Sequence, residues 1–216
     1  MYCKVLNPHT YLFQFAVRTR VGIADVGNWR AVAEDAAKVL RAGEVVALPT
    51  ETVYGLGADA FNAEAVAKVF EAKGRPSFDP LIVHIAGIRD LQRVAVVSEE
   101  LEGVVRQLAK AFWPGPLTMV LPKHEDIPDL VTSGLPTVAV RVSKHEFMRL
   151  LSKDLGPIAA PSANRFGRIS PTSASAVLDE LKGRIPLVVD GGACSNGLES
   201  TIIAVEVGEK RPVLKL

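Results

Sequence analysis

Apolar positions along this chain follow two periods that take turns. In 29-WRAVAEDAAKVLRAG-43 the residues Val32, Ala36, Val39 and Leu40 share one helical face, with Asn28 as N-cap and Gly43 as the stop. The run 44-EVVALP-49 reads as a buried strand, and 62-NAEAVAKVFEAKG-74 as a helix with a Val66, Val69, Phe70 stripe between an Asn62 cap and a Gly74 terminus. The same alternation continues: strand 80-PLIVHIA-86, helix 99–112, strands 116-PLTMVLP-122 and 137-TVAVRV-142, helix 145–156, and a strand end at 157-PIAAPS-162. Ser170 at the cap and Pro171 at the first helical position open a helix over 170–183, and strands 186-PLVVD-190 and 200-STIIAVEV-207 follow. Strands alternating with helices predict an α/β fold around a mostly buried, twisted mixed sheet. Residues 1–25 lack periodicity and are read as an extension or edge element.

The polar residues concentrate where the predicted strands end. The segments 50-TETVYGLG-57, 73-KGRP-76, 161-PSAN-164 with 165-RFGRISPT-172, and 191-GGACSNGLEST-201 would converge on one rim, where open α/β sheets bind ligands. Each has an unremarkable alternative. Lys73 and Arg75 could close a helix, Ser162 and Asn164 could turn the chain, Thr50 and Thr52 could be edge-strand residues, and His84 could be a satisfied core histidine. Arg141 resists this treatment, because a guanidinium within 138-VAVRV-142 is costly unless it faces solvent or meets an anion.

Composition narrows the class without changing that picture. At 216 residues, 48% hydrophobic and 23% charged, the chain can bury one sizeable core, so one domain is expected and two small ones are the alternative. The 25 Lys and Arg nearly cancel the 24 Asp and Glu, so any basic site must be local. Cys3 and Cys194 form no Cys-x-x-Cys pair, which argues against a zinc site or a disulfide framework and for a reducing cytoplasm. Asn7, Pro8, His9 and Gln14 interrupt the apolar residues near the start, which makes a poor signal peptide, and no run reaches membrane-spanning length.

No P-loop, dinucleotide-binding or kinase-type glycine motif occurs. A nucleotide would have to be held by dispersed side chains, with Lys73 as a point charge and Arg75 as a fork on phosphate, while Arg141 takes a second anion such as a carboxylate. From the residues alone the reading is an anion-binding α/β enzyme for a phosphate-bearing and carboxylate-bearing substrate.

The strings 45-VVALPTETVYGLGADA-60, 73-KGRP-76, 80-PLIVHI-85, 112-FWPGPLTMVL-121, 137-TVAVR-141, 160-APSAN-164, 170-SPT-172, 189-VDGG-192 and 199-ESTII-203, in this order, resemble the YrdC/Sua5 family of threonylcarbamoyl-AMP synthases. The resemblance implies a single YrdC-like α/β domain over residues 26–216, with a twisted mixed sheet flanked by helices and a positive concave cavity. It implies the reaction of L-threonine, bicarbonate and ATP to threonylcarbamoyl-AMP, pyrophosphate and water, with Mg²⁺ carried in on ATP and no dedicated metal ligands. The product would pass to a threonylcarbamoyl transferase complex that forms N6-threonylcarbamoyladenosine in tRNA, and tRNA itself is a further candidate contact. By the same resemblance Lys73 and Arg75 (K-x-R), Ser162 and Asn164 (S-x-N), Thr137 and Ser170 lie on the ATP side, with Lys73 and Arg75 catalytic. Thr52, His84, Arg141, Ala160 and Ser200 lie on the threonine side, with Gly55 and Gly57 letting backbone come close to the substrate. Asp79 departs from the Asn common in the family, and the R-P-G segment usual after the last strand is not found, the chain reading 213-VLKL-216. Two alternatives share the fold: a double-stranded RNA-binding or tRNA-binding paralogue without synthase activity, and the carbamoyl-adenylate-forming domain of hydrogenase maturation.

Overall fold

The computed structural model describes residues 17–25, 27–208 and 212–216. In chain order the elements are β1 (Arg20–Ile23), α1 (Trp29–Arg41), β2 (Val46–Leu48), β3 (Gly55–Asp59), α2 (Ala63–Lys73), β4 (Ile82–His84), a 3₁₀ segment (Ile88–Arg93), α3 (Glu99–Phe112), β5 (Leu117–Pro122), a single turn α4 (Asp129–Thr132), β6 (Thr137–Arg141), α5 (Glu146–Leu155), β7 (Ile158–Ala159), α6 (Ala174–Leu181), β8 (Leu187–Asp190), β9 (Thr201–Glu206) and β10 (Val213–Lys215). The strands join in one mixed sheet in the order β1-β8-β2-β3-β7-β4-β6-β5-β9-β10. Parallel pairs (β1–β8, β2–β8, β4–β6, β5–β9) are mixed with antiparallel ones such as β2–β3 and β5–β6.

Alternation along the buried strands divides the interior in two. Val45 and Ala47 face one core, Val46 and Leu48 the other, and in β8 Val188 and Leu187 part the same way. α1 and α5 cover one face through Ala33, Ala36, Leu40, Phe147 and Leu151, while α2, α3 and α6 cover the other through Val66, Val69, Leu101, Val105 and Val177. A sheet buried on both faces needs apolar residues on both sides of its strands, which is why these runs are nearly continuous.

The local signals held in part. Asn62 accepts from the Glu64 and Ala65 amides, and Gly74 takes the left-handed conformation at φ 59° that ends α2. Asn28 precedes α1 without capping it; its side chain instead ties to the Asp25 amide and the Ile23 carbonyl. The expected helix start at Ser170 is wrong. α6 begins at Ala174 under Ser173, whose hydroxyl accepts from Ala176, while Ser170 donates to Glu199 across a loop. β3 also went unforeseen within the glycine-rich 50–57 segment. Gly57 lacks the Cβ that would stand 2.7 Å from Leu48 Cδ1 and 3.0 Å from Ile158 Cγ2, so glycine lets three strands close up there. Its role is sheet packing, not the approach to substrate expected of it. Within the 1–25 segment β1 forms the sheet edge beside β8, and residues 1–16 lie outside the described part.

Candidate functional site

After β2 the chain turns through Thr50, Glu51 and Thr52, all buried. The Thr50 hydroxyl organises this turn: it donates to Val53 O at 2.6 Å and accepts from the Thr52 amide at 3.1 Å. A hydroxyl has one proton, so in the 2.9 Å Thr50–Thr52 contact Thr52 must donate. Thr52 therefore offers acceptor capacity, and Arg141 Nη1 uses some of it at 2.9 Å.

Arg141 ends β6 in parallel register with His84 at the end of β4. Its Nε donates to Gly115 O at 3.2 Å, and its Nη2 lies 2.8 Å from Glu51 Oε1. Those two atoms meet as an ion pair without an aligned hydrogen bond, since neither has a hydrogen-bond partner. Burial works to raise the Glu51 pKa, but the Arg141 charge, the Lys144 amide and the Ser143 hydroxyl outweigh it and bring it down to about 2. The His84 pKa is lowered too, by burial first and Arg141 second, to about 3, which keeps the ring neutral, and its buried Nδ1 has no hydrogen-bond partner among the described residues. On the β5 side Thr118 and Ser200 share a 2.8 Å hydroxyl contact.

A second group of cations faces these residues. Lys73, 2% exposed, sits in the last turn of α2, yet its ammonium donates to the Ser162 and Asn164 carbonyls and not to those of its own helix. Burial and then the Arg75 charge lower it to about 8. Arg75 is clamped by Asp79, through a 3.1 Å bond to its carbonyl and a 2.9 Å ion pair with its carboxylate, and by Pro80 O at 3.0 Å. Asp79 thus positions Arg75.

A cavity of about 420 Å³ connects the two groups. Its wall includes Thr52, His84, Arg141, Ala160, Ser162, Ser200 and Arg75, seven of the eleven residues that the resemblance assigned to the ATP and threonine sides. Lys73 and Asn164 stand behind it, joined to it through the Ser162 backbone and the 161–164 loop; the Asn164 amide braces that loop by donating to Arg165 O and Arg168 O at 2.8 Å each. Ser170 is outside the wall but holds Glu199, which is on it. Thr137 lies at the far end of β6, opposite Pro122, away from the wall. Arg75 and Arg141 on the wall are matched by Asp79 and Glu199, so the net positive cavity implied by the resemblance is not evident in its lining. Sequence reasoning missed Glu51, Thr118 and Glu199. Glu51 had one signal, a carboxylate between two threonines directly after a buried strand, but its partner is 90 residues away.

A mixed α/β sheet with a cavity at its strand ends, lined by two ion-paired arginines, hydroxyls and a histidine, places this chain in the class of α/β domains whose strand-end crevices are the usual place for small ligands. A Sua5/YciO/YrdC family model, described as telomere recombination, matches residues 38–215, and the chain belongs to this family. It is 51% identical over 180 residues to a threonylcarbamoyl-AMP synthase of Pyrococcus abyssi (strain GE5 / Orsay), covering 83% of this chain and 52% of that protein. It is 52% identical over 171 residues to one of Bacillus subtilis (strain 168), covering 78% and 49%. The crystal structure of P. abyssi Sua5 complexed with L-threonine superposes with a TM-score of 0.80 at 47% identity, over 91% of this chain and 56% of that one. The chain spans about half the length of these relatives.

Proposed function

We propose that this chain makes threonylcarbamoyl-AMP from L-threonine, bicarbonate and ATP for the threonylcarbamoyl modification of tRNA adenosine, with residues 26–216 as the catalytic domain. The observation that carries the reading is the single cavity that joins Arg141, Thr52 and His84 to Arg75 and the Lys73-anchored Ser162 loop. A relative whose crystal structure is described as a complex with L-threonine shares this fold at 47% identity.

In this reading Arg141 takes the amino acid's carboxylate by charge-assisted hydrogen bonds, and the neutral His84 and the hydroxyls of Thr52 and Ser200 line the rest of its pocket. The threonine amine adds to the carbonate carbon and water leaves, giving a carbamate. A carbamate oxygen then attacks the α-phosphorus and pyrophosphate departs, so no protein nucleophile is needed. Lys73, Arg75, Ser162 and Asn164 hold the nucleotide, with Thr137 and Ser170 as outlying members of that side. Rate enhancement comes from placing the two substrates in line and from cationic stabilisation of the phosphoryl charge. Among the described residues no cluster of His, Cys, Asp or Glu is placed to hold a metal, so Mg²⁺ is proposed to enter on the triphosphate, with Asp79 and Glu199 the carboxylates on the wall. Among the described residues no helix is long and apolar enough to cross a membrane; the cytoplasmic setting is proposed from the cysteine usage of the sequence.

The test is pyrophosphate release with ATP, bicarbonate and single amino acids. Release should require L-threonine and bicarbonate together, with serine poorer by about 1–3 kcal/mol, the worth of one methyl group in a pocket. Equal rates with serine would remove the threonine reading. Release without any amino acid would indicate a plain ATPase, and salt-steep RNA binding without turnover would favour the RNA-binding alternative.

A further inference from the structure

We propose that Glu51 is the positioning residue for amino-acid recognition: it holds the Nη2 end of the Arg141 guanidinium and balances its charge, so that the Nη1 end is fixed beside Thr52 at the cavity. The inference rests on the reading of Arg141 as the carboxylate-binding group.

A guanidinium carries five N–H groups. In Arg141 the Nε–H goes to Gly115 O and one Nη1 hydrogen to Thr52, whereas Nη2 lies beside Glu51 Oε1 without an aligned hydrogen bond. Nη2 is thus buried against the Glu51 carboxylate, which leaves the second Nη1 hydrogen as the one donor of the side chain with no partner in these contacts. An unpaired guanidinium would be costly at 3% exposure, and Glu51 supplies the counter-charge.

Glu51 is itself immobilised. The Ser143 hydroxyl donates to its Oε2, and Ser143 also accepts from the His145 amide at 3.2 Å, which anchors the carboxylate to the start of α5. The same tight turn presents Glu51 and Thr52 to Arg141, so one piece of backbone sets both the charge and the hydroxyl that orient it. The nucleotide-side cations depend on other groups, Lys73 on the Ser162 and Asn164 carbonyls and Arg75 on Asp79 and Pro80. The two halves share no partner among these contacts, so disturbing Glu51 should be felt by the amino acid and not by ATP.

The experiment measures threonine and ATP dissociation constants separately for the wild type, Glu51→Gln, Ser143→Ala, Arg141→Lys and the double variant Glu51→Gln/Arg141→Lys. Glu51→Gln should weaken threonine roughly 10-fold or more, by analogy with the losses of about 10-fold to 100-fold on removing the groups that orient metal-binding side chains. Its effect on ATP should stay within about two-fold. Ser143→Ala should shift threonine in the same direction by less, and it decides the matter if Glu51→Gln fails to fold. In the Arg141→Lys background, Glu51→Gln should add less than about two-fold, because the group it positions is gone. Equal losses for both ligands, full additivity with Arg141→Lys, or unchanged threonine binding in a folded Glu51→Gln would each overturn the proposal. A wild type that binds ATP but no threonine would instead overturn the functional reading on which it rests.

Discussion

If Lys73 holds nucleotide phosphate, ATP affinity must depend on pH in a way the structure specifies. Among the described residues the ammonium forms no ion pair, and burial followed by the Arg75 charge outweighs the more distant Glu199, Asp79 and Glu180 to bring it from the usual 10.5 to about 8. An incoming triphosphate supplies the missing negative charge and favours the protonated form. Below pH 8 Lys73 is already charged and affinity should be flat. Above it, binding must take up a proton, and affinity should fall about ten-fold per pH unit until the pKa of the complex is reached. If the complex restores an ordinary lysine, the interval from about 8 to 10.5 corresponds to about 3 kcal/mol, or roughly 2.5 decades of affinity. The phosphate groups are not the source, since their last ionisation lies near about 6. The assay is calorimetric titration of ATP between pH 7 and 9.5 in buffers of different ionisation enthalpy, which should show about half a proton taken up per ATP at pH 8. Lys73→Arg stays charged throughout and should flatten the profile. An ATP affinity that is the same at pH 7 and 9.5 with no proton uptake would refute the argument. The fold should respond in the opposite sense: a depressed lysine penalises the native state while charged, so this group's contribution to stability improves as pH rises from about 8 toward 10.5.

Two substitutions test the remaining geometry. Arg141→Lys retains the charge but loses the bonds from Nε and Nη1, so threonine affinity should fall by about 1.5–3 kcal/mol, one to two decades in Kd, with ATP little changed. The melting temperature should drop as well, because Glu51 is left with a poorer partner; threonine affinity equal to wild type in a folded variant would sink the carboxylate assignment. Gly57→Ala should destabilise the fold by about 1–3 kcal/mol through overpacking against Leu48 and Ile158 while leaving both ligand affinities alone in the folded protein, checked by denaturant melts and titration.

The α/β class, most strands and the two faces of α2 could be read in the sequence because they depend on periodicity and on caps a few residues away. Asn62 and Gly74 bound α2 through contacts with their immediate neighbours, and Val66, Val69 and Phe70 repeat at helical spacing. The motif residues were likewise legible, and the cavity gathers seven of them on one wall. The sequence could not reveal which polar residues hold the others. Glu51 meets Arg141, Lys73 reaches the Ser162 and Asn164 carbonyls, and Ser170 reaches Glu199, each across tens of residues and each set by which strands lie side by side. Ser170–Pro171 fits a helix start on local chemistry alone, yet the chain there is held in a loop by that distant carboxylate. Gly57 suggested flexibility by its type, and only the packing of β2, β3 and β7 shows that the lack of a side chain is what matters. Local propensity is a property of neighbours in the chain, whereas buried charge must find its partner wherever the sheet brings one, and that choice belongs to the tertiary structure.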